Sequence, residues 1–154
     1  MPGKFLYQLQ THYPHLNPID VLIWEAFIRG NPGQFDSVDY DVKVGEGAPF
    51  LPETGEKFAE DFRMLTQKKI DVVGYKDNLI WLIEVKPNAG SRALGQILTY
   101  EKLYSKLPGN LANLRKCVIT TFLQNEYSEV YSRFGVIVFE VGETPEIRGN
   151  AEIP

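Results

Sequence analysis

The sequence predicts an α/β fold, a mixed sheet flanked by helices. Three observations carry the prediction. Segments that alternate polar and apolar residues are interleaved with segments whose apolar residues recur every third or fourth position, so strands and helices follow one another along the chain. One segment, NLIWLIEV, is apolar on both faces, as a central strand covered on both sides must be. The length of 154 residues, with 44% apolar and 23% charged content, suits one soluble domain large enough to bury a core.

The first element is HLNPIDVLIWEAFIRGNPG. Asn17 can cap a helix there, Pro18 suits its first position, and Gly30-Asn31-Pro32 stops it. SVDYDVKV alternates, with Val38, Tyr40, Val42 and Val44 on one face, the pattern of a half-exposed strand. Residues 45–57 are rich in Gly, Pro and Glu and read as a loop, and FAEDFRML after it as a short helix. KKIDVVGY and NLIWLIEV form two strands joined by a hairpin turn at Lys76-Asp77-Asn78. The stretch Pro87-Asn88-Ala89-Gly90 reads as a turn into the amphipathic helix SRALGQILTYEKLYSKL. A strand KCVITTFL, a short helix NEYSEVYSRF and a last strand GVIVFEV follow. Residues 1–142 then make a single domain, and the polar tail 143–154 is expected to be loosely ordered.

Several classes are excluded or disfavoured. The single Cys117 allows no intramolecular disulfide and no cysteine-rich zinc site, so a reducing intracellular compartment is expected. No apolar run approaches the ~18 residues of a membrane span, and MPGKFLYQLQ has no secretory pattern. A net charge of −4 argues against a protein that coats nucleic acid. It leaves room for an enzyme that meets nucleic acid through a local basic patch.

The chemistry concentrates at the end of the greasy strand. Glu84 and Lys86 are two apart and project from one strand face. A three-residue turn at 76–78 pairs Tyr75 with Leu79 and Asp71 with Ile83, which sets Asp71 within about one residue of Glu84. An E-x-K pair alone is more often a same-face salt bridge of little worth. It is Asp71 on the paired strand, the apolar strand body and the turn into a helix that favour a catalytic role. Two carboxylates with a backbone carbonyl make a hard oxygen site suited to Mg²⁺ or Mn²⁺. Such an ion offsets the repulsion of the carboxylates and stabilises charge on a phosphate, and Lys86 would handle the water beside it.

Ile70-Asp71, twelve intervening residues, then Glu84-Val85-Lys86 resembles the core motif of the PD-(D/E)XK nuclease superfamily, with Ile70 where the name-giving proline would stand. The resemblance covers residues 18–122. It implies a restriction-endonuclease-like fold (helix, three antiparallel strands, helix, strand) and a Mg²⁺- or Mn²⁺-dependent nuclease, acting more on DNA than RNA. Asp71, Glu84 and the Val85 carbonyl would be ligands and Lys86 the catalytic lysine. Gln96 and Tyr100 are four apart on the following helix and resemble the QxxxY motif of the RecB-like branch, where they would hold substrate or the lysine. The alternative is an ordinary helix with Tyr100 packed and Gln96 solvated.

Glu25, the one charge in VLIWEAFI, resembles a first-helix acid that joins the metal site in many members. It could instead pair with Arg29 four residues on. Lys68, Lys69, Ser91 and Arg92 offer phosphate contacts near a helix N-terminus, or are solvated surface groups. A chain this close to a catalytic core would draw specificity from a homodimer, a partner protein or DNA structure. Small members of this kind are intracellular proteins of prokaryotes or viruses, phages included, so a cytoplasmic location is implied. The alternative function is a nucleic-acid-binding or assembly module on the same fold without catalysis. His12 and His15 lack further His or Cys partners and read as structural rather than zinc ligands.

Overall fold

The computed structural model describes residues 2–47, 55, 67–108 and 113–152. The short helix expected over FAEDFRML, and the acidic Glu53, Glu56, Glu60 and Asp61, lie outside the described residues. The chain runs β1 (Phe5–Leu6), α1 (Pro18–Gly30), β2 (Ser37–Val44), β3 (Lys68–Lys76) and β4 (Leu79–Ala89). It continues through α2 (Ser91–Ser105), β5 (Asn113–Leu123), a 3-10 turn (Asn125–Tyr127), α3 (Ser128–Arg133), β6 (Val136–Glu140) and α4 (Pro145–Glu152).

The strands form a mixed six-stranded sheet in the order β1-β2-β3-β4-β5-β6 among the described residues. The first four are mutually antiparallel, and β4, β5 and β6 are parallel. Helices α1 and α4 cover one face, where Ile23, Trp24, Phe27 and Ile147 pack against Val72, Ile83 and Cys117. Helices α2 and α3 cover the other, where Leu94, Ile97 and Tyr131 pack against Val73, Leu82 and Val118. The body of β4 therefore lies between two apolar layers, as its continuous apolar run requires. No helix among the described residues is long and apolar enough to cross a membrane.

Local signals in the sequence act as physical chemistry predicts at α1. Asn17 accepts a hydrogen bond from the Asp20 N–H (3.2 Å) and Pro18 opens the helix, so two otherwise orphaned donors are accounted for.

Four expectations need correction. First, β4 does not end before a Pro-Asn-Ala-Gly turn; it continues to Ala89, pairing Asn88 with Phe122 and Ala89 with Leu123. Proline is tolerated because β3 has already left that side of β4, so its missing N–H forfeits no ladder bond. Second, the hairpin turn has two residues, with Lys76 paired to Leu79. Asp77 adopts φ +53°, the left-handed conformation that primed hairpin turns place at their first central position. Third, Val38, Tyr40, Val42 and Val44 do not share a face. Val38 and Tyr40 pack on the α1 side and Val42 and Val44 on the α2 side. The intervening Asp41, at φ +55°, turns the strand over. Fourth, the tail forms α4. Thr144 Oγ1 accepts from the Ile147 N–H (3.2 Å), and Ile147 is 3% exposed.

Candidate active site

The two-residue turn shifts the β3–β4 register by one from that expected. Val72 faces Ile83, so the next step sets Asp71 across from Glu84, on the same sheet face. Beyond that step β3 stays paired with β2 through Lys68 but no longer pairs with β4. The strands thus fork at Asp71 and Glu84. At the fork the Val85 N–H donates to Asp71 Oδ2 at 2.9 Å. The contribution of Val85 seen here is its N–H, while its carbonyl was the group expected to act.

Glu84 is 5% exposed, and its Oε2 is buried without a hydrogen-bond partner. Burial is the main force on its carboxyl, followed by the negative charge of Asp71; Lys86 opposes these and Asp20 adds to them, leaving it pushed up to about 9. Asp71 is also raised by burial, to about 6, restrained by the Val85 N–H, by a hydrogen bond with Glu84 and by the charge of Lys86. Burial and the closeness of the two carboxyls thus favour a proton held within the Asp71–Glu84 pair.

A third carboxyl belongs here that the sequence reading missed. Asp20, in the first turn of α1, is raised to about 7 by burial and then by the charge of Asp71, with Lys86 and Asn17 pulling it down. Glu25 is not brought to the fork. Five residues at 100° each set it about 140° round the helix from Asp20. Its carboxylate accepts from Tyr13 Oη at 2.9 Å and lies 4.0 Å from Arg29, in a groove of about 420 Å³ that His12 also lines. In sequence Asp20 reads as a first-turn acid complementing the helix dipole, which concealed any other role. Asp41 is a fourth carboxyl: flanked by the pairs Tyr40–Val72 and Val42–Ile70, it stands across from Asp71. It is engaged by His15, whose Nε2 lies 3.1 Å away, and His15 itself sits at φ +60°.

Helix α2 stands over the other side. Tyr131 Oη donates to the Gly90 carbonyl at 2.6 Å, and a Cβ at Gly90 would come within 2.8 Å of the Gln124 side chain. The helix start is thereby held close to β5 and α3. Tyr100 is buried, and its hydroxyl is raised by burial and by the charges of Glu84 and Asp71, with Arg92 opposing. Gln96 is half-buried, with its Oε1 lacking a partner. Lys68, Ser91 and Arg92 join both of them in lining a cavity. Lys69 does not line it, because adjacent strand residues point to opposite faces. The structure therefore gathers Asp71, Glu84, Lys86, Gln96, Tyr100, Lys68, Ser91 and Arg92, adds Asp20 and Asp41, and leaves out Glu25 and Lys69.

Among the described residues, no three His, Cys, Asp or Glu side chains form a ready-made metal-ligand group. A Mg²⁺-type ion needs less than that, being held by one or two carboxylates with waters and substrate phosphate. The buried, unpartnered Oε2 of Glu84 beside Asp71 fits such an ion, since a cation would supply the missing partner.

Neither a protein-family model nor a curated protein matches the chain. Among solved structures it is similar to that of protein VC1899 from Vibrio cholerae, with 14% identity and a TM-score of 0.48 over 86% of this chain. The match spans 32% of that protein's chain.

Proposed function

We propose that the chain is a metal-dependent nuclease that hydrolyses phosphodiester bonds, with DNA as the favoured substrate. The observation that carries this reading is the pairing at the fork: Asp71 beside a buried Glu84 whose Oε2 has no partner, with Lys86 on the same strand face. Keeping two acids together out of water is costly unless the arrangement is used. The order of elements from α1 to β5 agrees with a restriction-endonuclease-like core, which supports the same reading.

Asp71 and Glu84 would hold Mg²⁺ or Mn²⁺, with Asp20 adding negative charge from α1. The ion supplies charge neutralisation and a more acidic bound water. Lys86 orients the attacking water and stabilises the negative charge growing on the phosphate oxygens. Tyr100, in the field of both carboxylates, and Gln96 beside it hold the substrate on the α2 side. Hydrolysis forms a bond from water oxygen to phosphorus and breaks the bond to the leaving sugar oxygen, which takes up a proton.

The test is a cleavage panel in Mg²⁺ or Mn²⁺ with single-stranded, duplex, flap and junction DNA plus RNA. Cleavage should vanish in Lys86→Ala and Glu84→Gln. Equal activity in either variant would assign the cleavage to another site or a contaminant. Binding without any cleavage would support a non-catalytic nucleic-acid module instead.

A further inference from the structure

The cavity along α2 has features beyond the hold on substrate by Gln96 and Tyr100. Its volume is about 360 Å³, at the small end of sites that enclose one small molecule. Two cations, Lys68 and Arg92, line it together with Ser91 at the start of α2, where backbone N–H groups also favour an anion. Gln96 brings a buried carbonyl oxygen that lacks a donor. Gly95 lines it as well, in the interior of a helix, where glycine costs about 0.5–1 kcal/mol relative to alanine. No packing need explains that glycine, since a Cβ there would meet nothing within 4 Å. What its bare backbone provides is room. Tyr100 lines the cavity and lies in the electrostatic field of Glu84 and Asp71, so the cavity adjoins the centre.

We infer that this cavity is a subsite for one unpaired nucleotide, and that the chain therefore engages single-stranded nucleic acid in preference to intact duplex. The inference rests on the nucleic-acid reading of the adjoining centre. Lys68 and Arg92 take the nucleotide's phosphate, and the Gln96 amide accepts from a base N–H. Tyr100 forms the wall shared with the centre. The pocket opens to the surface, and a base can turn into it only after leaving its stack, which is cheapest where no partner strand holds it.

The experiment measures fluorescence anisotropy of a short 3′-labelled DNA strand, alone and annealed to its complement, with a metal chelator present so that nothing is cleaved. The single strand should bind about tenfold more tightly than the duplex. Gly95→Leu, which fills the cavity from a position with free space, should abolish that preference. It should also melt no lower than the parent, because a helix-interior glycine is replaced. Gln96→Ala is the second variant and should weaken the single strand more than the duplex. Duplex binding as tight as single-strand binding, no binding of either, or unchanged single-strand binding in both variants would overturn the inference. The outcomes separate from those of the hydrolysis test. A single-strand preference lost in Gly95→Leu without cleavage in Mn²⁺ retains the subsite and refutes the nuclease. Lys86-dependent cleavage of both forms with equal binding does the reverse.

Discussion

Replacing Glu84 by glutamine should stabilise the protein at neutral pH. In the unfolded chain this carboxyl ionises near 4.5, whereas burial and the neighbouring Asp71 push it up to about 9 in the fold. The folded state then binds more protons than the unfolded one between those values, so stability falls as pH rises from about 4.5 towards about 9. At pH 7 the gap from the unfolded value is about 2.5 pH units, which sets a ceiling of roughly 3 kcal/mol. Sharing of the proton with Asp71 spreads the titration over both groups, so about 2 kcal/mol is the working figure for Glu84 alone. Glutamine keeps the shape and offers an N–H to Asp71 in place of the acid proton, and it has nothing to ionise.

With a chelator present, Glu84→Gln should therefore match the parent near pH 4.5 and exceed it by about 2 kcal/mol at pH 7, or about 4–8 °C in melting temperature for a chain of this length. Urea unfolding across pH 5 to 8.5 measures the difference directly. Adding Mn²⁺ should reverse the order, because an ion that binds only the folded parent stabilises it in proportion to occupancy. A variant no more stable than the parent at pH 8, or a difference that does not grow with pH, would refute the reasoning.

Other outcomes follow from the same geometry. Asp20→Asn should lower metal-supported cleavage by about tenfold or more while Glu25→Gln changes it by less than about twofold; the opposite order would return the α1 role to Glu25. Gly74→Ala should cost about 1–3 kcal/mol in urea unfolding, because its Cβ would sit 2.8 Å from the Phe35 ring. Ile147→Ala should cost about 2 kcal/mol or more, since Ile147 belongs to the α1 cluster; unchanged stability would mean that α4 adds nothing to the fold.

Much of the fold could be read from residues whose effects are local. Asn17 and Pro18 mark the start of α1, and the apolar run of β4 marks the centre of the sheet. The tail helix carried the same kind of signal, a threonine followed by proline at Thr144-Pro145, but polar composition outweighed it. What could not be read was set by backbone conformations that residue patterns do not determine. Aspartate tolerates a left-handed φ without requiring it, so neither Asp77, which fixes the hairpin register, nor Asp41, which turns β2 over, announces itself. Asp20 is the exception: helical spacing sets it between the buried Trp24 and Phe27 and sets Glu25 on the opposite side with Arg29, a difference concealed by its place as a first-turn acid.

The same irregularity builds the site. A regular ladder through β2, β3 and β4 would stand Asp41, Asp71 and Glu84 in a row, like charges on neighbouring strands, which destabilises a sheet. The structure resolves the row unequally. Asp41 is turned to His15, and Asp71 takes the Val85 N–H where the ladder to β4 gives out. Glu84 alone of the three keeps an oxygen that is buried and without a partner. Any cation drawn to the fork therefore gains most at Glu84, the group whose ionisation the fold resists hardest. Metal binding and the proton of Glu84 must then compete, so occupancy should rise with pH over the range in which the metal-free protein loses stability.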